Sequence, residues 1–135
     1  MQLLTPEMCA ALRANADAAM IDEGRHDPVP VVKLFNPAGA ATWLVTELDE
    51  DGDTLFGLAD LGFGCPELGS FSLSEIAALR LPFGLSIERD LSFESNRPLS
   101  YWAEVAWHRG SICDAEQWIL HHAPPLPAND PLPPS

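Results

Sequence analysis

Thr42-Trp43-Leu44-Val45-Thr46-Glu47-Leu48 and Thr54-Leu55-Phe56-Gly57-Leu58-Ala59-Asp60-Leu61 are two β-prone runs flanking an acidic turn, Asp49-Glu50-Asp51-Gly52-Asp53. Asp-Gly between alternating runs is a hairpin signal, because Asp and Gly tolerate the positive φ that a tight turn demands. In the first run the alternation sets Trp43, Val45 and Glu47 on one face and Thr42, Leu44, Thr46 and Leu48 on the other. An antiparallel pair at the middle of the chain constrains everything on either side of it.

Upstream, Val31-Val32-Lys33-Leu34-Phe35 is a third β-prone run, stopped by Asn36-Pro37 and Gly39. Before it, Thr5 is placed to cap a helix with Pro6 at its first position, continuing through the alanine-rich stretch to Met20. Residues 21–30 read as an exposed connection. Downstream, Gly62, Gly64, Pro66 and Gly69 mark an irregular loop. Ser72-Leu73-Ser74-Glu75 then matches a capping box, predicting a short helix to about Leu79 or Arg80. Ser86 to Phe93 reads as a fourth strand, with Ile87, Arg89, Leu91 and Phe93 on one face and Glu88 and Asp90 on the other. Pro98 opens a helix from Leu99 to Arg109 that Gly110 closes. Asp114 is placed to cap a last helix, Ala115 to His122.

This order predicts one α+β domain over residues 1–122, a small antiparallel sheet of about four strands packed against helices on one face. From Pro124 onward prolines dominate, and residues 123–135 are expected to be a disordered, proline-rich tail.

The chain has 135 residues, 20 acidic against 7 basic, and a formal charge of -13. Such a surface repels phosphate backbones and anionic lipid, so direct nucleic-acid and membrane binding are disfavoured. It leaves two uses for the acidity: solubility, or engagement of basic partners, including imitation of nucleic acid. Cys9, Cys65 and Cys113 are too scattered for a disulfide framework or a zinc site and suit reduced thiols in a cytoplasm. No run of about 20 apolar residues offers a membrane span.

Leu3-Leu4-Thr5, Val32-Lys33-Leu34-Phe35-Asn36-Pro37, Thr42-Trp43 followed by Thr46-Glu47, Phe56-Gly57-Leu58, Glu67-Leu68-Gly69-Ser70-Phe71-Ser72-Leu73-Ser74-Glu75 and Pro82-Phe83-Gly84-Leu85-Ser86-Ile87-Glu88-Arg89-Asp90-Leu91 together resemble an uncharacterised bacterial family, domain-of-unknown-function family 2958. Ser70 stands where that family more often has an aromatic residue, and Ser86 where it often has proline. The resemblance covers about Gln2 to Leu99. It implies a compact α+β domain and a setting on plasmids, integrated elements and phages, and it carries over no catalytic residue.

Chemical motifs are sparse. Asp49, Asp51, Asp53 and Asp60 mimic calcium-loop spacing, but the glycine needed at the sixth position is displaced to Gly52 and the flanks are strands. His121-His122 are adjacent, so a helix separates them by about 100° and they do not chelate as a pair. No metal and no cofactor is expected. The distinctive residue is Arg89, a cation that cannot lose its charge on a face read as core; burial there demands a partner, and Glu47 is the natural candidate. Glu67 and Glu75 are the fallback partners, and the pair reads first as a structural ion pair, with a binding pocket lined by Trp43, Glu47 and Arg89 as the functional alternative. Glu88 and Asp90, about 7 Å apart on the other face, form a second candidate pair. Among Tyr101, Trp102, Trp107 and Trp118, a tryptophan left exposed is a candidate partner contact.

The leading expectation is a non-enzymatic accessory protein of a mobile element that binds another protein. The alternatives are an acidic nucleic-acid mimic with an anti-defence or regulatory role, and a small enzyme with a pocket around Glu47, Arg89 and Trp43.

Overall fold

The computed structural model describes residues 2–22 and 25–122; the expected proline-rich tail lies outside them. Helix α1 spans Pro6–Asp22, and the Thr5 hydroxyl accepts the Met8 amide at 3.1 Å, as its position before Pro6 predicts. Four strands follow: β1 (Val32–Phe35), β2 (Thr42–Leu48), β3 (Thr54–Asp60) and β4 (Glu67–Ser72). After them come α2 (Leu73–Ala78), β5 (Glu88–Arg89), α3 (Leu99–Arg109) and α4 (Ile112–His122). The sheet is antiparallel throughout in the order β4-β3-β2-β1-β5, five strands where about four were expected, in the single α+β domain that the sequence predicts.

The additional strand is β4, which glycine and proline content marks as loop. Pro66 falls just before its first residue, where a missing donor does no harm, and Gly69 pairs with Gly57 inside the ladder. The eight-residue strand expected at Ser86–Phe93 shrinks to Glu88–Arg89. Leu91 is largely exposed and Phe93 crosses to the other side of the sheet, so the alternation holds only from Ile87 to Asp90.

The hairpin forms where the sequence places it. Asp51 accepts the amides of Asp53 and Thr54, each at 2.8 Å, and the Thr54 hydroxyl at 2.6 Å. Gly52 supplies the left-handed residue at φ 73°. Asp53 reaches further. Its carboxylate accepts the Ser72 hydroxyl at 2.7 Å and the Ser74 amide at 2.8 Å, while Ser72 accepts the Glu75 amide at 3.2 Å. The hairpin tip thereby caps α2, and the second carboxylate at this cap is Asp53.

Both faces of the sheet are covered, which corrects the expectation of helices on one face. On the first face Leu12 of α1, with Leu3 and Leu4, packs on Val32, Leu34, Trp43, Val45, Leu48, Leu55 and Ile87. On the second, Leu99, Trp102, Ala103 and Ala106 of α3 and Ile112 and Ala115 of α4 pack on Leu44 and Leu58. Six of the seven β2 residues are consequently buried. A strand sandwiched this way reads apolar or hydrogen-bonded on both sides, which is why Thr46 satisfies its hydroxyl on the Phe56 carbonyl at 3.3 Å.

Thr46 is also a bulge. Val45 pairs with Gly57 and Glu47 with Phe56, leaving Thr46 as the extra residue. Leu48 joins Trp43 and Val45 in one core, and Glu47 turns to the face of its partner Phe56. Glycine is required opposite: a Cβ on Gly57 would lie 1.9 Å from the Leu44 carbonyl oxygen.

Candidate interaction surface

The bulge separates the residues of the first candidate pocket. Trp43 and Arg89 both flank Leu34 in the register of β1, so they do lie in one row on one face. Leu34 fills the space between them and is fully buried, and Trp43 itself is a core residue. Glu47, shifted to the opposite face, lines a cleft of about 320 Å³ with Arg13, Met20 and Phe56 instead. Burial holds its carboxyl above the ordinary range, and His26 partly offsets that.

Arg89 finds carbonyls where a carboxylate was expected. Its Nη1 donates to the Gln2 and Leu3 carbonyl oxygens, each at 2.9 Å, while its buried Nε has no hydrogen-bond partner. The guanidinium thus fastens the segment before α1 to the sheet edge.

The buried cation that composition does not reveal is Lys33. Its side chain is 11% exposed, with Nζ 2.7 Å from Glu116 Oε1 and 3.4 Å from Asp90 Oδ2. Burial alone would lower its pKa, but the two carboxylates outweigh that and hold it above the ordinary lysine value. Burial would likewise raise Asp90; hydrogen bonds from the Ser92 amide and hydroxyl, with Lys33, hold it below the ordinary value. Glu88, opposite Phe35, lies on the same side of the sheet. Asp90 and Glu116 border an open cleft of about 1090 Å³ that Phe93, Arg97, Trp102 and Leu120 also line. The sequence signal was a lone lysine inside a five-residue apolar run, which one covered face would have left in water and two covered faces do not.

The acidic residues of the supposed calcium spacing do not converge. Asp51 and Asp53 serve the hairpin and α2. Asp60 is buried, accepting the Gly62 amide with one oxygen and the Ile112 amide with the other, both at 2.9 Å. That second bond sets a carboxylate at the N-terminus of α4, where the helix dipole favours it. Among the described residues no group of three or more His, Cys, Asp or Glu is arranged to hold a metal ion.

What remains exposed and organised is the β4 border. β4 ends the sheet, so no described residue pairs with its outer side, whereas the opposite edge, β5, offers two residues only. Alongside β4 the tryptophan expected as a possible partner contact is Trp107, half exposed on α3, with its indole N–H donating to the Pro66 carbonyl at 2.7 Å. Phe63 is 82% exposed in the loop before the strand, and Leu61 and Leu68 are exposed too. The hydrogen bond fixes the ring and satisfies its polar atom, leaving an apolar surface to be covered at little entropic cost. Leu68 was hidden from sequence reading because β4 was read as a loop.

The described residues thus form an antiparallel sheet with helices on both faces, a two-residue strand at one edge and a six-residue strand at the other. The chain belongs to the family whose model is described as "Protein of unknown function (DUF2958)", which matches residues 3–113. Lys33 and Asp90 fall inside that stretch and Glu116 outside it. No curated protein and no solved structure matches the chain. Among the described residues no helix is long and apolar enough to cross a membrane.

Proposed function

We propose that this chain is a non-enzymatic, cytoplasmic accessory protein of a mobile genetic element, and that it binds another protein through the β4 edge and the apolar residues beside it. The observation that carries the reading is the pairing of a six-residue edge, on whose outer side no described residue pairs, with an exposed tryptophan hydrogen-bonded to the carbonyl just before it. Natural sheets usually blunt a long edge with lysine, proline or a bulge; within β4 there is none of these. Exposed aromatic anchors beside such an edge are the residues that dominate binding in protein interfaces. The acids at 51, 53, 60, 90 and 116 are engaged with the chain's own amides, hydroxyls and Lys33, so they do not favour a phosphate-like track. Trp43, Glu47 and Arg89 do not share a pocket, which removes the geometric support for an enzyme there.

Affinity capture from the native host, comparing wild type with Trp107→Ser, tests the reading. A protein retained by wild type and lost from the variant is the expected result. Identical captures from both would overturn it.

A further inference from the structure

We infer that the partner presents an extended segment bearing lysine or arginine, which adds to β4 as a sixth strand; this rests on the protein-binding reading above. Main-chain geometry comes first. An edge strand of six residues turns alternate peptide groups outward, offering about three donors and three acceptors to an incoming strand. β5, with two residues, offers no comparable template.

Charge then selects the occupant. From Leu34 to Leu79, the stretch that builds β2, β3, β4 and α2, the chain carries eight acidic residues and no Lys, Arg or His. Asp60 is buried, but Glu67, the first residue of β4, is exposed, and Glu75 is exposed in the first turn of the helix after it. The basic residues beside Trp107 are His108, 3.4 Å from Glu104, and Arg109, too few to reverse the sign. A second copy of this chain would set Glu67 against an equally acidic edge, each copy carrying a formal charge of -13. A basic segment gains attraction where a second copy meets repulsion.

Side-chain alternation adds a pattern. Leu68 pairs with Leu58 and so lies on the α3 side with Trp107, while Glu67, Gly69 and Phe71 lie on the other. The incoming strand therefore suits apolar residues on the Trp107 side and basic residues on the Glu67 side, at period two.

The test uses the full chain and three eight-residue probe peptides: alternating Val-Lys, alternating Val-Glu, and the Val-Lys peptide with a central proline. Amide exchange is followed by NMR. The Val-Lys peptide should slow exchange at the outward β4 amides, the Val-Glu peptide should not, and proline should weaken binding about tenfold by removing a ladder donor. Ser70→Lys, an exposed position on β4, should keep the thermal midpoint and lose the Val-Lys peptide. Equal binding of the proline peptide would show charge adsorption without strand addition and overturn the inference. So would outward β4 amides already protected without peptide, whether by a concentration-dependent dimer or by the chain's own residues. If no peptide binds but Trp107→Ser still loses a captured protein, the strand-addition inference fails alone. If Trp107→Ser captures everything wild type does, the protein-binding reading fails with it.

Discussion

Lys33 Nζ sits 2.7 Å from Glu116 Oε1, tying the second residue of β1 to the middle of α4 across 83 residues of sequence. The contact fastens α4 to the sheet face at the row Leu58–Leu44–Lys33, whose other two members are apolar. An ammonium there is tolerable only because two carboxylates meet it.

Replacing Lys33 with Met should lower stability by about 2 kcal/mol, less than for a fully buried pair because Asp90 and Glu116 keep some water. Much of that loss is the repulsion of two carboxylates left without their cation, so adding Glu116→Gln should recover part of it. Urea denaturation of the four members of the cycle measures the coupling; strictly additive losses would contradict the arrangement.

The same cluster gives a pH profile. The pKa of Lys33 is raised in the folded chain, so its contribution is complete below the ordinary lysine value and is lost as pH climbs through the raised one. Asp90 is lowered, so its contribution holds above the ordinary carboxylate value and is lost as pH falls through the lowered one. Lys33→Met should flatten the alkaline limb of a stability profile and weaken the acid limb. Denaturant midpoints across the pH range check both signs.

Asp60→Asn, turned so that its NH2 faces the buried Ile112 amide, should cost about 2–3 kcal/mol, because one oxygen replaces two and that amide is left without an acceptor. Exchange of the Ile112 amide should quicken beyond the global effect. An unchanged denaturant midpoint would mean that the bridge between the β3 end and α4 contributes nothing.

Gly57→Ala should be the most damaging single change, beyond about 4 kcal/mol, since the added carbon would require the Leu44 backbone to move. A folded variant of near wild-type thermal midpoint would contradict the close approach at the bulge.

These sites show what the sequence discloses and what it does not. The hairpin, the Thr5 and Ser72 caps and the Gly110 stop were legible because each depends on neighbours within a few residues. Thr46 was not: a bulge is decided by the partner strand, and one extra residue moved Glu47 away from Trp43 and Arg89. β4 was hidden by Gly69 and Pro66, harmless in a ladder that only β3 completes. Ser111, whose hydroxyl accepts the Asp114 amide at 3.0 Å, starts α4 earlier than Asp114 suggested. Lys33 and Arg89 were hidden for a related reason. Which cation is buried, and by what it is met, depends on helices distant in sequence.

The most direct measurement is the Trp107→Ser capture set beside its own unfolding curve. The ring is half exposed and packs outward, so the variant should unfold within about 1 kcal/mol of wild type and yet lose a protein that wild type retains. A variant that folds equally well and retains every wild-type partner would contradict the account.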